Sequence, residues 1–176
     1  MTKKELRQHV RELKKQYSKE QLIELSSPLI AKVEENKHVK KAQIIMLYYS
    51  LPDEVYTHNL VKKLAAKGKT VLLPVVVGDN EMILRIYKSE KDLRKGEFDI
   101  MEPVGEVFEE LSKVETVIVP GMSFDSNNNR LGRGKGYYDR FLSKMQNAYK
   151  IGLCFDFQKS ETIPTEQCDV KMNEVI

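Results

Sequence analysis

Between residues 120 and 140 the chain runs Pro-Gly-Met-Ser-Phe-Asp-Ser-Asn-Asn-Asn-Arg-Leu-Gly-Arg-Gly-Lys-Gly-Tyr-Tyr-Asp-Arg. Gly132, Gly134 and Gly136 alternate with Arg133 and Lys135, and Arg130 stands just ahead of them. Alternating glycines let backbone N–H groups converge on an anion, and the interleaved cations match the charge of a polyphosphate. Asp139 follows closely. A carboxylate there suits bare phosphate poorly, but suits a phosphate that arrives with Mg²⁺. The loop is neither a Walker loop nor the dinucleotide fingerprint, so a surface turn with solvated charges is the competing reading.

Several elements must position these residues. The apolar run Thr116 to Val119 predicts a buried strand, ended by Pro120-Gly121, and Tyr137 to Gln146 predicts a helix whose N-terminal dipole would favour an anion. Ala42 to Tyr49 predicts a second central strand, followed by the loop Ser50 to Tyr56 and a helix from Thr57 to Gly68. Asp53 and Glu54 lie in that loop, at the strand edge where open α/β sheets keep their ligands. A favourable position before a helix N-terminus explains them equally well.

Lys69 to Pro74, Glu81 to Tyr87 and Lys150 to Phe155 read as further strands, Ser89 to Gly96 as a short helix, and Val107 to Leu111 as an amphipathic turn. The α/β alternation predicts a three-layer αβα sandwich around a mostly parallel sheet.

The N-terminal segment, Lys3 to Tyr17, has an apolar stripe of Leu6, Val10, Leu13 and Tyr17. A basic line of Lys3, Arg7, Arg11 and Lys14 runs beside it and reads as a solvated helix face. Ser18 to Gln21 is a capping box opening a helix to about Glu35, in which Pro28 predicts a kink or a split. His38 reads as an exposed surface residue and His58 as structural.

A chain of 176 residues fits a single domain, 1–176, with a proper core. Its net charge of +3 argues against nucleic acid as a partner. Cys154 and Cys168 have no metal-ligand spacing and imply no disulfide, so a reduced, cytoplasmic protein is expected, and no apolar run approaches a membrane span. Nothing points beyond a monomer.

The run Asn129 to Asp139 closely resembles the signature of the 5-formyltetrahydrofolate cyclo-ligases, also called methenyltetrahydrofolate synthetases, and other segments agree in order along nearly the whole chain. The resemblance implies the architecture shared by sugar-phosphate isomerases and CoA transferases. It also implies ATP- and Mg²⁺-dependent closure of 5-formyltetrahydrofolate, whether or not polyglutamylated, to 5,10-methenyltetrahydrofolate.

For ATP binding it implies Lys3 and Arg7, which match an N-terminal Lys-x-x-x-Arg, together with Arg130, Leu131, Gly132, Arg133, Gly134, Lys135, Gly136, Tyr137 and Tyr138. Spacing puts Lys3 and Arg7 on one side of a single helical turn. For the substrate it implies Tyr49, Glu54, Arg133, Gly134, Lys135, Gly136 and Tyr137. Lys135 and Arg133 would be catalytic, and Asp139 and Asp169 would hold the metal. Arg130 would clamp either phosphate or a folate carboxylate, and Tyr49, Phe124 and Tyr138 are candidates to cover the flat rings.

Three departures stand out: Asn128 replaces the usual glycine of a tight turn, Cys168 a frequent histidine, and Phe98 a tryptophan near the pocket wall. Asn tolerates the left-handed region, so the turn survives. Two other readings compete: an ATP-dependent enzyme acting on a different substrate, and a nucleotide- or RNA-binding protein using the basic helix and arginine loop.

Overall fold

A computed structural model describes residues 1–96 and 99–176. Phe98 therefore lies outside the described residues. The central sheet has seven strands. In chain order these are β1 (Ile44–Met46), β2 (Thr70–Val77), β3 (Glu81–Tyr87), β6 (Val107–Phe108), β7 (Thr116–Pro120), β10 (Tyr149–Leu153) and β12 (Glu174–Val175), and their spatial order is β12-β10-β7-β1-β2-β3-β6. The pairs from β12 across to β2 are all parallel, with Ile45 beside Val71 on one side and Thr116 on the other. Toward the other edge, β3 runs antiparallel to both its neighbours, β2 and β6.

Because the parallel strands are covered on both faces, successive residues feed different cores. Ile45, Leu47, Val71, Leu73 and Ile118 pack beneath the helices α2 (Lys19–Glu35), α3 (Lys37–Lys41) and α4 (His58–Ala66). Met46, Leu72, Val117 and Val119 face the other way, toward Phe141 and Leu142 of α5 (Tyr137–Leu142). Helix, sheet and helix make the expected three layers. Each fully buried Leu or Val in these layers contributes about 1.5–3 kcal/mol of transfer free energy. The first helix, α1 (Lys3–Lys14), stands apart: Leu6 and Val10 pack with Met122, Leu131 and Ile163 in a small core of their own.

Local signals explain most boundaries. Thr2 and Glu5 cap α1 reciprocally, and Ser18 and Gln21 do the same for α2. Gly68, at φ +86°, supplies the left-handed residue just past α4. Pro28 does not split α2, which runs unbroken through it. Pro28 and the preceding-turn Glu24 are both exposed, so water takes the carbonyl that the proline cannot bond.

The segment from Ser89 corrects the expected helix. A single 3₁₀ turn, Glu90–Asp92, leads into strand β4 (Leu93–Lys95), which pairs with β5 (Met101–Pro103) and buries Leu93. The expected amphipathic turn at Val107 is the edge strand β6. His38 is half-buried, its ring stacked on Tyr149 at 3.5 Å, rather than exposed.

Candidate active site

The loops that leave the C-terminal ends of β1 and β7 lie side by side, as these strands are neighbours. The chain leaving β7 folds into a hairpin of β8 (Ser123–Asp125) and β9 (Arg130–Leu131), with β11 (Lys159–Ser160) alongside β8. Asp125 organises its turn. One carboxylate oxygen accepts the N–H groups of Asn127 and Asn129, and the other accepts Asn129 Nδ2 at 2.9 Å and the Ile163 N–H. Asn128 sits at φ +63°, the left-handed conformation its residue type tolerates. Burial works against the charge on Asp125, but these donors more than offset it and hold its carboxyl below the ordinary range.

Phe124 on this hairpin is fully buried in the core, the commoner fate of an aromatic near a strand, so it drops out of the three candidate ring covers. Arg130 is buried as well. Its guanidinium donates to Pro120 O (3.1 Å) and Asp139 Oδ2 (3.2 Å) and lies over the Tyr138 ring at 5.4 Å. Its Nε, by contrast, has no partner among the described residues. Arg130 thus faces inward and fixes Asp139 and Tyr138.

The glycine loop emerges beyond Leu131, whose side chain sits in the small core under α1. Gly134 (φ +110°) and Gly136 (φ +72°) occupy backbone conformations that other residues adopt only with strain. Arg133, Gly134 and Lys135 are exposed. α5 has only six residues, so its dipole adds little and the loop's own amides and cations must do the binding. Tyr137 donates its hydroxyl to Asp79 O (3.0 Å), on the β2–β3 turn.

α1 joins this loop. Arg7 Nε donates to Gly132 O at 2.7 Å, and Lys3 Nζ reaches Asp169 Oδ2 at 2.7 Å and Glu166 Oε1 at 3.3 Å. Burial pulls the Asp169 carboxyl upward, but Lys3 and the Glu166 N–H outweigh it, and the net direction is down. Asp139 Oδ1 accepts the N–H of Val170, so Asp139 and Asp169 flank the same turn of chain. Two carboxylates suit a hard, oxygen-seeking cation such as Mg²⁺, whereas the exposed Cys168 thiol that approaches Glu166 and Asp169 does not.

The β1 loop is built differently. Thr57 Oγ1 donates to Tyr48 O (2.6 Å) and accepts the Ser50 N–H (3.1 Å), while Ser50 Oγ accepts the Thr57 N–H (2.9 Å). His58 Nε2 bonds Ser50 O at 2.8 Å, and its ring stacks on Tyr49 at 3.6 Å. Burial lowers the His58 pKa, leaving a neutral imidazole that donates this bond. Tyr49 and Glu54 line a cavity of about 390 Å³, together with Ile23, Leu51, Tyr56 and Met101. Glu54 Oε2 accepts the Leu51 N–H (2.9 Å), and its other oxygen points at the glycine loop. There Arg133 NH2 lies 3.0 Å from both Glu54 Oε1 and Asp53 Oδ1. The residues expected to bind nucleotide and those expected to bind substrate therefore meet at one ion-pair junction.

The chain matches the 5-formyltetrahydrofolate cyclo-ligase family over residues 1–176. It belongs to that family. The mouse 5-formyltetrahydrofolate cyclo-ligase is 32% identical to it, over 98% of this chain and 89% of the relative, and the Escherichia coli K12 enzyme of the same name is 28% identical over 95% of each. The NMR structure of Aquifex aeolicus 5,10-methenyltetrahydrofolate synthetase superposes with a TM-score of 0.87 at 34% identity, covering 99% of this chain and 89% of that one. The synthetase from Mycoplasma pneumoniae, at 24% identity and a TM-score of 0.81, shares the fold. The chain is an enzyme of the cyclo-ligase class, acting on 5-formyltetrahydrofolate. No helix among the described residues is long and apolar enough to cross a membrane.

Proposed function

We propose that the enzyme uses ATP and Mg²⁺ to close 5-formyltetrahydrofolate into 5,10-methenyltetrahydrofolate, releasing ADP and phosphate. The observation that carries this reading is the Arg133 junction, where an exposed cationic glycine loop touches the acid of an aromatic-lined cavity at 3.0 Å. A phosphate donor on one side and a flat acceptor on the other meet there.

A formyl amide is a poor electrophile with a poor leaving oxygen. The formyl oxygen attacks the γ-phosphorus of ATP, the bond to the β-phosphate oxygen breaks, and ADP leaves. N10 then attacks the activated carbon, the C–O bond breaks to expel phosphate, and the N10 proton passes to solvent. The protein supplies positioning and charge rather than a covalent nucleophile.

In this reading Arg133 and Lys135 neutralise the transferring phosphoryl group, and the amides around Gly132, Gly134 and Gly136 add donors. From α1, Arg7 reaches the glycine loop at Gly132 and Lys3 reaches the tail at Asp169. Tyr49, backed by His58, offers a flat face to the pterin, and Glu54 an acceptor for its N–H groups. Asp139 and Asp169 would hold Mg²⁺, which would supply positive charge to offset that of the phosphates. Purified enzyme mixed with 5-formyltetrahydrofolate, ATP and Mg²⁺ should develop methenyl absorbance, and omission of ATP or addition of a chelator should abolish it. Conversion that proceeds without nucleotide would refute the reading.

A further inference from the structure

Lys14 is the one cation of the N-terminal basic line that is buried: its side chain is 5% exposed, whereas Arg11 lies open to solvent. Its Nζ sits 3.1 Å from Asp53 Oδ2, the carboxylate that also binds Arg133. Positions 3, 7 and 14 fall on one stripe of a helix, separated by four and seven residues. Each cation of that stripe holds a different part of the site. Lys3 holds the tail at Asp169, Arg7 the glycine loop at Gly132, and Lys14 the acid loop at Asp53.

Burial outweighs the attraction of Asp53 and moves the Lys14 pKa down, and breaking even in free energy is common for buried ion pairs. The pair makes sense through Arg133. Arg133 NH2 is held by Asp53 and Glu54; were it to turn to nucleotide, an acid with no remaining counter-ion would both resist that departure and repel the incoming phosphates.

We propose that Lys14 is a positioning residue for nucleotide binding: as the permanent partner of Asp53, it lets Arg133 exchange that carboxylate for the phosphates. Glu54, released in the same exchange, becomes available to the substrate. Nucleotide and folate therefore bind with positive, reciprocal coupling.

This inference rests on the ATP-dependent reading, and steady-state kinetics separates the two. Lys14→Met leaves Asp53 with Arg133 as its only paired cation among the described residues. It should raise KM for ATP about tenfold, the effect of roughly one strong charge-assisted contact, with a much smaller change in kcat. Adding Asp53→Asn should restore KM, because the restraint on Arg133 is gone. A residue that merely supports the fold would show no such rescue. Wild-type enzyme that turns over without ATP overturns both readings. ATP-dependent wild type with Lys14→Met within twofold in KM, or a double variant no better than the single one, overturns this inference alone. Should Lys14→Met fail to fold, Asp53→Asn by itself decides. KM for ATP should fall or hold, and a rise overturns the proposal.

Discussion

The loops leaving β1 and β7 serve one site by opposite means. After β1, Ser50 and Thr57 are buried, bond each other through side chains and backbone, and lock the wall that carries Tyr49. After β7, Arg133, Gly134 and Lys135 stand exposed on left-handed turns. A flat ring system is recognised by surfaces already in place, because ordering them at binding would subtract from affinity. A polyphosphate is recognised by charge and by donors that close around it. One half of the site is thus part of the fold, while the other is fastened onto it through Arg7, Arg130 and Arg133.

If that division holds, substitutions on the two sides should separate activity from stability. The largest effect belongs to the exposed side. Lys135→Ala should lower kcat/KM by about 10²–10³, the loss typical of one transition-state donor, while the thermal midpoint barely moves. Normal turnover, or an unfolded variant, would break the comparison. Thr57→Val should do the reverse. It strips partners from Tyr48 O and the Ser50 N–H, at about 1–3 kcal/mol in urea unfolding, with the surviving activity changed far less. Unaltered unfolding would mean that the β1 loop is not preformed by these bonds.

The smallest effect tests the seam. Burial opposes the charge on Asp53, but Lys14 and Arg133 overcome it, so its carboxyl titrates below the ordinary range. A depressed carboxyl contributes stability above its unfolded pKa of about 4, and that contribution disappears as pH falls through the lower folded value. The urea midpoint should hold from neutrality to about pH 5 and then decline, and Asp53→Asn should show a shallower decline. Identical acid limbs would remove Asp53 from the charge balance between the loops.

Much of this arrangement was legible in residue types. The strand before Pro120, the cap at Ser18, the end of α4 at Gly68 and the left-handed tolerance at Asn128 all follow from local chemistry and agree with the structure. Of the two cations that the resemblance brings to the nucleotide, Arg7 meets the signature at Gly132, while Lys3 pairs with Asp169 in the tail.

What escaped was set by distant partners. The hairpin at Ser123 is too short to show alternation, and Phe124 looks like a ring-binding aromatic until β10 is packed against it. Arg130 resembles its exposed neighbour Arg133, yet Asp139 and Pro120 draw it inside. Lys14 continues an apparently solvated stripe, and only the placement of Asp53 shows otherwise. Asp125, which builds the hairpin turn, carried a signal that was present but unused: an acid followed by a serine and three asparagines is turn chemistry.

The separate small core beneath α1 has a further consequence. Leu6 and Val10 touch Met122, Leu131 and Ile163 rather than the two large clusters on the sheet, so this helix can detach as its own cooperative segment while the rest stays folded. Its detachment would carry Lys3, Arg7 and Lys14 away from the site without unfolding the sheet. Amide exchange in residues 3 to 14 reports that detachment directly, and stabilising the interior of the sheet will leave it unchanged.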